Sequence, residues 1–585
     1  MMRRIYLFLG VAIGVMCCNP FHSHGQKGRL QVVSPMADSS TVDRAVVYLR
    51  GKADPQGMLF LNGTPLPVHS TGVFAAPLDL REGANEWEVW HVMGTDTLRK
   101  RIVVVYEKPL PPKPTEGFAI EYIRIAPGGD LWLQPGDLLQ VEMKATPGMA
   151  ATFYQGIPLF EADTAVAKVG GIYRGEYRIQ PSDSLTGQTI SFYLLDSVSK
   201  KTVMMESRER ITVLNQPYVL TGLTTSNGVP LYYGLGTDRL GGAKMGTLDS
   251  LVRLEITGKM HDMYRVRLST ADQAYVPADR LAVQRGVHFR PHSLTGSWTV
   301  YSDSTADFVS IGLDERLPYV ATVQQHPTRI VVDIYGAVSN SNWMTQKEGL
   351  LAIRNVWYEQ RSKDVFRAVI ELNEPQLWGY DIRYRGRNLV IRVKPQPAVL
   401  SLRQLTVAVD AGHGGSNRGA VGMTGVLEKD LNLSMARKLK DALEKAGANV
   451  IMTREGDEAV NNGERLRRLQ EQDPDLLISI HCNASANPMV QGVSTYYRHQ
   501  AYRPLSQYIL TEMRKLDLAD FGNVGGFNFT LNSPTSFPSV LVEVAFLSNP
   551  ADEERLLDNG FHEAVAGKIV AGLRGFLNGV QGRAR

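Results

Sequence analysis

A single carboxylate interrupts the apolar run Ser539-Val540-Leu541-Val542-Glu543-Val544-Ala545-Phe546. Burying a charge among valines is costly unless a cation or a chemical task compensates. The same C-terminal third offers a place for a cation. His413 follows the apolar run Val407-Ala408-Val409-Asp410-Ala411, His481 ends Leu476-Leu477-Ile478-Ser479-Ile480, and Glu428 opens an amphipathic segment between them. Two imidazoles and one carboxylate suit zinc and leave a coordination position open, with Glu543 spare for proton transfer. Taken singly, each residue has a plainer reading. His413 could cap a turn, His481 could be a core histidine, Glu428 could be a helix-start charge favoured by the dipole, and Glu543 could pair with a buried arginine such as Arg454. Ligands so far apart in sequence make no local finger, so their placement on the fold carries the argument.

That placement follows from the elements. From Leu405 onward strands and helices alternate, which predicts an α/β domain with a central, mostly parallel sheet flanked by helices. Leu427, Leu431, Met435, Leu439 and Leu443 recur every four residues and predict a helix over 428–446, with Gly447 after its end. Further helices are expected at 464–471, 504–515, 550–557 and 563–577, and strands at 449–453, 476–480, 493–497 and 540–544. Asn549 as cap and Pro550 at the first position mark one helix start. In open α/β sheets reactive groups gather beyond the carboxyl ends of the strands. His413, His481 and Glu543 fall there, and Glu428 reaches the same rim from its helix.

Four blocks, Asp410-Ala411-Gly412-His413-Gly414-Gly415, Gly425-Val426-Leu427-Glu428-Lys429-Asp430, Ser479-Ile480-His481-Cys482-Asn483-Ala484 and Val542-Glu543-Val544-Ala545-Phe546-Leu547-Ser548-Asn549, resemble those of the zinc-dependent N-acetylmuramoyl-L-alanine amidases of the amidase-3 family. The resemblance covers residues 405–578. It implies one Zn2+ held by His413, Glu428 and His481, Glu543 as catalytic acid/base, and hydrolysis of the amide joining the lactyl group of N-acetylmuramic acid to L-alanine. Asn483 is a candidate substrate contact on the His481 side of its strand, and Asp410 and Arg454 are candidates to support the ligands. Cys482 and Ala545 depart from the family's usual residues without touching a ligand. Several family members carry an inhibitory helix after the second histidine; the short stretch before the next strand here implies that it is missing. Two rival readings stay open: a non-catalytic peptidoglycan-binding envelope scaffold, and a zinc hydrolase of another N-acyl substrate.

The remainder reads as multidomain, with all-β modules upstream. A chain of 585 residues exceeds one core. We divide it into a leader at 1–25, an immunoglobulin-like sandwich at 26–108, a Pro-rich linker at 109–117, a second β domain at 118–215, a Src-homology-3-like barrel at 216–287, an AMIN-like β domain at 288–398 and the amidase-like domain at 403–580. Asn62-Gly63 predicts a hairpin in the first module. Val252–Gly258, Met263–Arg267 and Ala274-Tyr275-Val276-Pro277 carry the resemblance to the Src-homology-3-like barrels. The order Arg329–Tyr335, Phe366–Leu372, Leu389–Val393 resembles the AMIN domains, which are targeting modules. Arg3 and Arg4 before the short apolar run from Ile5 to Cys18, then Ser23-His24-Gly25, predict a cleaved export signal, with lipidation at Cys17 or Cys18 an open alternative. The expected location is the periplasm, with attachment to the cell wall or outer membrane left open, and the mature chain has no expected transmembrane span. Only Cys482 would remain, so no intramolecular disulfide is expected. A net charge of +4 with no basic block excludes nucleic acid as the expected partner. Peptidoglycan is the expected partner, with an envelope activator or division proteins as further options.

Overall fold

Two compact units divide at the start of the proline-rich stretch, one ending at Glu107 and the other beginning at Lys108. The computed structural model describes residues 29–35, 39–110, 112–215, 220–236, 241–286 and 289–583; the expected leader, with Cys17 and Cys18, lies outside them. In the first unit a three-stranded sheet (Leu30–Ser34, Val46–Ala53, Val73–Asp79) faces a five-stranded one. Leu49 and Phe74 from one meet Val89, Ile102 and Val104 from the other in a shared core. Asn62 and Gly63 both take positive φ, 49° and 78°, and Leu61 pairs with Thr64 across them, as an Asn-Gly turn requires.

The second unit begins with a seven-stranded antiparallel sheet running from Ile120–Ala126 to Thr202–Glu206. Strands Leu131–Leu133 and Ile211–Val213 leave that sheet and join the one built from residues 220–285. Arg265 reinforces this junction by donating to Asp137 at 3.0 Å. Residues 290–396 form a six-stranded and a four-stranded sheet. In the latter, Arg329–Tyr335 and Val365–Leu372 pair so that Asp333 faces Arg367 and the two are joined at 2.7 Å.

The C-terminal part carries a six-stranded sheet. Its strands are β1 (Thr406–Ala411), β2 (Asn449–Met452), β3 (Leu476–Asn483), β4 (Val493–Tyr496), β5 (Asp520–Val524) and β6 (Ser539–Phe546), in the order β2-β1-β3-β6-β4-β5. All neighbours are parallel except β6 and β4. The helices are α1 (Glu428–Lys445), α2 (Asn462–Gln472), α3 (Arg503–Met513), α4 (Pro550–Leu556) and α5 (Asn559–Arg583). The four-residue stripe of α1 does what its period requires: Leu431, Met435, Leu439 and Leu443 are buried with Val407, Ile478, Val542 and residues of α3 and α5 on one sheet face. A smaller core of Ala408, Leu469, Leu477, Leu531 and Phe537 covers the other face.

Two elements differ from expectation. Strand β5 has the sequence Asp-Phe-Gly-Asn-Val, which shows no apolar alternation; it exists because β4 offers an edge to pair with. Helix α5 runs past Leu577 to Arg583, because Gly579 is a contact point and not a breaker, as Gly572 is within the expected span. A Cβ on Gly572 would lie 2.7 Å from Ile509 Cα, and one on Gly579 would lie 2.3 Å from Tyr508 Oη. These glycines let α3 and α5 pack closely. Residues 484–492, between β3 and β4, contain no helix. No helix among the described residues is long and apolar enough to cross a membrane.

Candidate active site

Parallel pairing of β1 with β3 and of β3 with β6 brings three strand ends together. His481 on β3 is the register partner of Glu543 on β6, and Gly412, just past β1, donates its N–H to Ile480 O at 3.0 Å. His413 follows in the left-handed region at φ 64°, which turns its ring back over the sheet end. Glycine is demanded at two neighbours. A Cβ on Gly412 would stand 2.3 Å from Cε1 of His481, and one on Gly419 would stand 2.4 Å from Oε2 of Glu428.

His413, Glu428 and His481 thereby converge. One ligand atom from each lies within 4.8 Å of the other two. Glu428 Oε1 is 3.1 Å from His413 Nε2 and 3.1 Å from His481 Nδ1, and the rings sit 4.9 Å apart. The carboxylate is anchored by the N–H groups of Ala420 at 2.8 Å and Cys482 at 3.1 Å, and by the Asn432 amide at 3.2 Å. Burial works against ionisation of Glu428, but the hydrogen bonds and charges of the two histidines overcome it and hold its pKa far below the usual carboxylate range. Burial likewise opposes protonation of His481, and Glu428, Glu543 and Asp410 reverse it, so its pKa is raised. An ionised carboxylate between two imidazole nitrogens is a donor set that a divalent cation fits. His413 Nδ1 lies 2.9 Å from Asn417 Oδ1, which fixes the tautomer that aims Nε2 at the centre.

Glu543 stands beside this trio and outside it, partly exposed, flanked in register by His481 and by Ser494 on β4. Asp410 is fully buried below. It accepts from Thr453 Oγ1 at 2.6 Å, Ser479 Oγ at 2.5 Å and Arg465 Nη1 at 2.7 Å. Arg454 is not the partner of Glu543 that its isolated reading allowed: its guanidinium donates to the carbonyls of Ala411, Gly412, Lys429 and Gly456. It braces the backbone on either side of the histidine loop. Asn483 reaches Tyr496 Oη at 3.3 Å. Cys482 points the other way into the α1 side of the core, and burial pushes its thiol pKa well up.

The profile of the N-acetylmuramoyl-L-alanine amidases matches residues 407–575, the span that carries all of these residues. AmiC of Neisseria meningitidis serogroup B, an N-acetylmuramoyl-L-alanine amidase, is 28% identical over 352 residues, which is 45% of this chain and 85% of AmiC. YqiI of Bacillus subtilis, an uncharacterised protein, is 33% identical over 178 residues, 30% of this chain and 85% of YqiI. The chain belongs to the N-acetylmuramoyl-L-alanine amidase family. Among solved structures, the catalytic domain of CwlV from Bacillus (Paenibacillus) polymyxa aligns with 32% identity and a TM-score of 0.29, over 30% of this chain and 98% of that domain.

Several residues of the candidate site escaped sequence reading. Arg465, on α2, is 2% exposed and joins Asp410 to the carbonyls of Ala411 and His413. Its one signal is its place among apolar neighbours of an amphipathic helix. Asn417 and Asn432 hydrogen-bond His413 and Glu428, and nothing in a single sequence sets them apart from other turn and helix asparagines. Phe529 packs edge-on against His481, centroids 5.4 Å apart at 86°, from a segment far along the chain.

Proposed function

We propose that this amidase is a zinc hydrolase in which His413, Glu428 and His481 hold a single ion and Glu543 carries the proton. Its reaction is hydrolysis of the amide between N-acetylmuramic acid and L-alanine in peptidoglycan, as membership of the family implies. The observation that supports the ligand set is the convergence of three donor atoms within 4.8 Å, with Glu543 as the in-register neighbour of His481. Bound there, zinc supplies Lewis acidity at the scissile carbonyl and lowers the pKa of water to about 7. Glu543 accepts a proton on its carboxylate and returns it to the departing amide nitrogen. Asn417 and the N–H groups around Glu428 hold the ligands in place. Asn483, at the rim beside Tyr496, contacts the substrate, and Asp410 and Arg454 keep the histidine loop in position. The upstream segments act as the β modules assigned from sequence. The enzyme is exported to the periplasm and works on the cell wall, and an envelope activator or a division protein is its regulatory partner.

The test is a digest of purified sacculi with identification of the new termini. Free L-alanyl amino groups and intact lactyl sugars are expected from the parent protein. Glu543→Gln should keep about one zinc per chain while turnover falls by roughly 10²–10⁴, and His413→Ala should lose the metal. Full lytic rate in Glu543→Gln removes the role given to that residue.

A further inference from the structure

Segment 525–537 is held from two sides. On its inner side Phe529 abuts the His481 ring, while Phe527 stacks on Phe529 at 6.2 Å and meets Tyr496 at a 51° tilt with centroids 4.6 Å apart. Leu531 and Phe537 complete the small core under the sheet. On its outer side the partners come from upstream modules. Asn528 Nδ2 donates to the Gly242 carbonyl at 2.8 Å, and Gly242 belongs to the segment before the barrel strand Lys244–Leu248. Arg498 bridges the same contact, donating to Asn528 Oδ1 at 2.5 Å and to the Lys244 carbonyl at 2.7 Å. Both acceptors are amide oxygens, which suits a partly buried guanidinium used as a geometric clamp.

Near the far end, Thr535 is locked to the last upstream β module. Tyr380 N donates to Thr535 O at 2.8 Å, and Thr535 Oγ1 donates to Tyr380 O at 2.8 Å. Gly379, at φ 145°, lets the two backbones close up, since a Cβ there would stand 2.1 Å from Ser536 O. The segment is therefore a strap whose inner face walls the candidate metal centre and whose outer face is fastened to residues 242, 244 and 379–380.

We infer that the barrel and the module after it are working parts of the amidase site: through Asn528, Arg498 and Thr535 they hold the Phe527–Phe529 wall against His481. This rests on the hydrolase reading above. It separates these modules from tethers, because a tether matters only on an intact wall, whereas a positioned wall matters for any substrate. Asn528 and Thr535 within the strap and Arg498 beside it are positioning residues, since their contacts fasten the strap and do not reach the proposed metal ligands. A displacement of about 1 Å in such a wall can cost up to roughly a hundredfold in rate.

The test uses the full chain and a soluble disaccharide-peptide cut from peptidoglycan, on which wall targeting contributes nothing. Asn528→Ala and Thr535→Val, one at each fastening, are compared with the parent. The readouts are kcat/KM, zinc content, thermal midpoint and hydrogen exchange at 525–531. Expected are a roughly tenfold or larger fall in kcat/KM carried mainly by kcat, faster exchange confined to 525–531, and unchanged zinc content and midpoint. Asn528→Asp, which keeps the acceptor for Arg498, should recover part of the loss. Parent-like kcat/KM and exchange in both alanine and valine variants overturn the inference, as does a loss of kcat/KM that only tracks a lowered midpoint. A parent chain that leaves the soluble fragment uncut refutes the hydrolase reading instead, and the exchange data then decide the strap by themselves.

Discussion

Asn417 illustrates how much of the centre depends on residues that bind nothing themselves. Its carbonyl oxygen sits 2.9 Å from His413 Nδ1, so Asn417→Ala keeps the three proposed ligands but frees the ring. Zinc affinity is expected to fall roughly 10- to 100-fold, read by competition with a chromogenic chelator; an unchanged affinity would show that the loop alone orients His413. Asp410 makes a different point. Burial opposes its charge, but Arg465, with His481 and two hydroxyls, more than compensates and holds its pKa below the usual range. Because the folded pKa is depressed, the stabilisation is complete above the unfolded value of about 3.9 and fades as pH falls below it. Asp410→Asn leaves Arg465 buried without its charge partner and is expected to cost about 3–5 kcal/mol at neutral pH. Denaturant melts should show that gap narrowing as the pH is taken below about 4. A constant gap across that range would mean that the pair contributes shape and little charge.

Among the elements, α1 does two jobs with one sequence. Its apolar stripe seats it on the sheet, and that seating delivers Glu428, its first residue, to the rim between the two histidines. Leu439 is fully buried in the middle of the stripe. Leu439→Ala is expected to destabilise the domain by about 2–5 kcal/mol, measured by urea denaturation. A cost below about 1 kcal/mol would place the helix's support elsewhere. Strand β5 and the strap after it are the reverse case: elements with little pattern of their own that exist because neighbours supply edges and anchors.

For the whole molecule, the division at Glu107 has an energetic consequence. The first unit closes its own core between its two sheets, and the cores of the second unit draw on other residues. Two unfolding transitions are therefore expected in calorimetry, and the smaller should persist in a fragment ending at Glu107. A single transition carrying the full enthalpy would contradict this. Within the second unit the modules share sheets and core, as where Leu131–Leu133 pairs across to Lys259. Chain continuity therefore understates how tightly they are joined.

The amino-acid order alone determined the alternating α/β pattern after Leu405, the stripe of α1, the Asn-Gly hairpin and the residues His413, Glu428, His481 and Glu543. The elements are written in a local period or turn signal, and the four residues in blocks that resemble the amidase-3 family. Tertiary structure decided what those residues meet. Arg465 under Asp410, Asn417 behind His413, Phe529 on His481 and the fastening of Asn528 to Gly242 all join positions distant in the chain. Such contacts follow from how sheets and helices pack in space, and a hydrogen bond between distant partners leaves no periodicity to read.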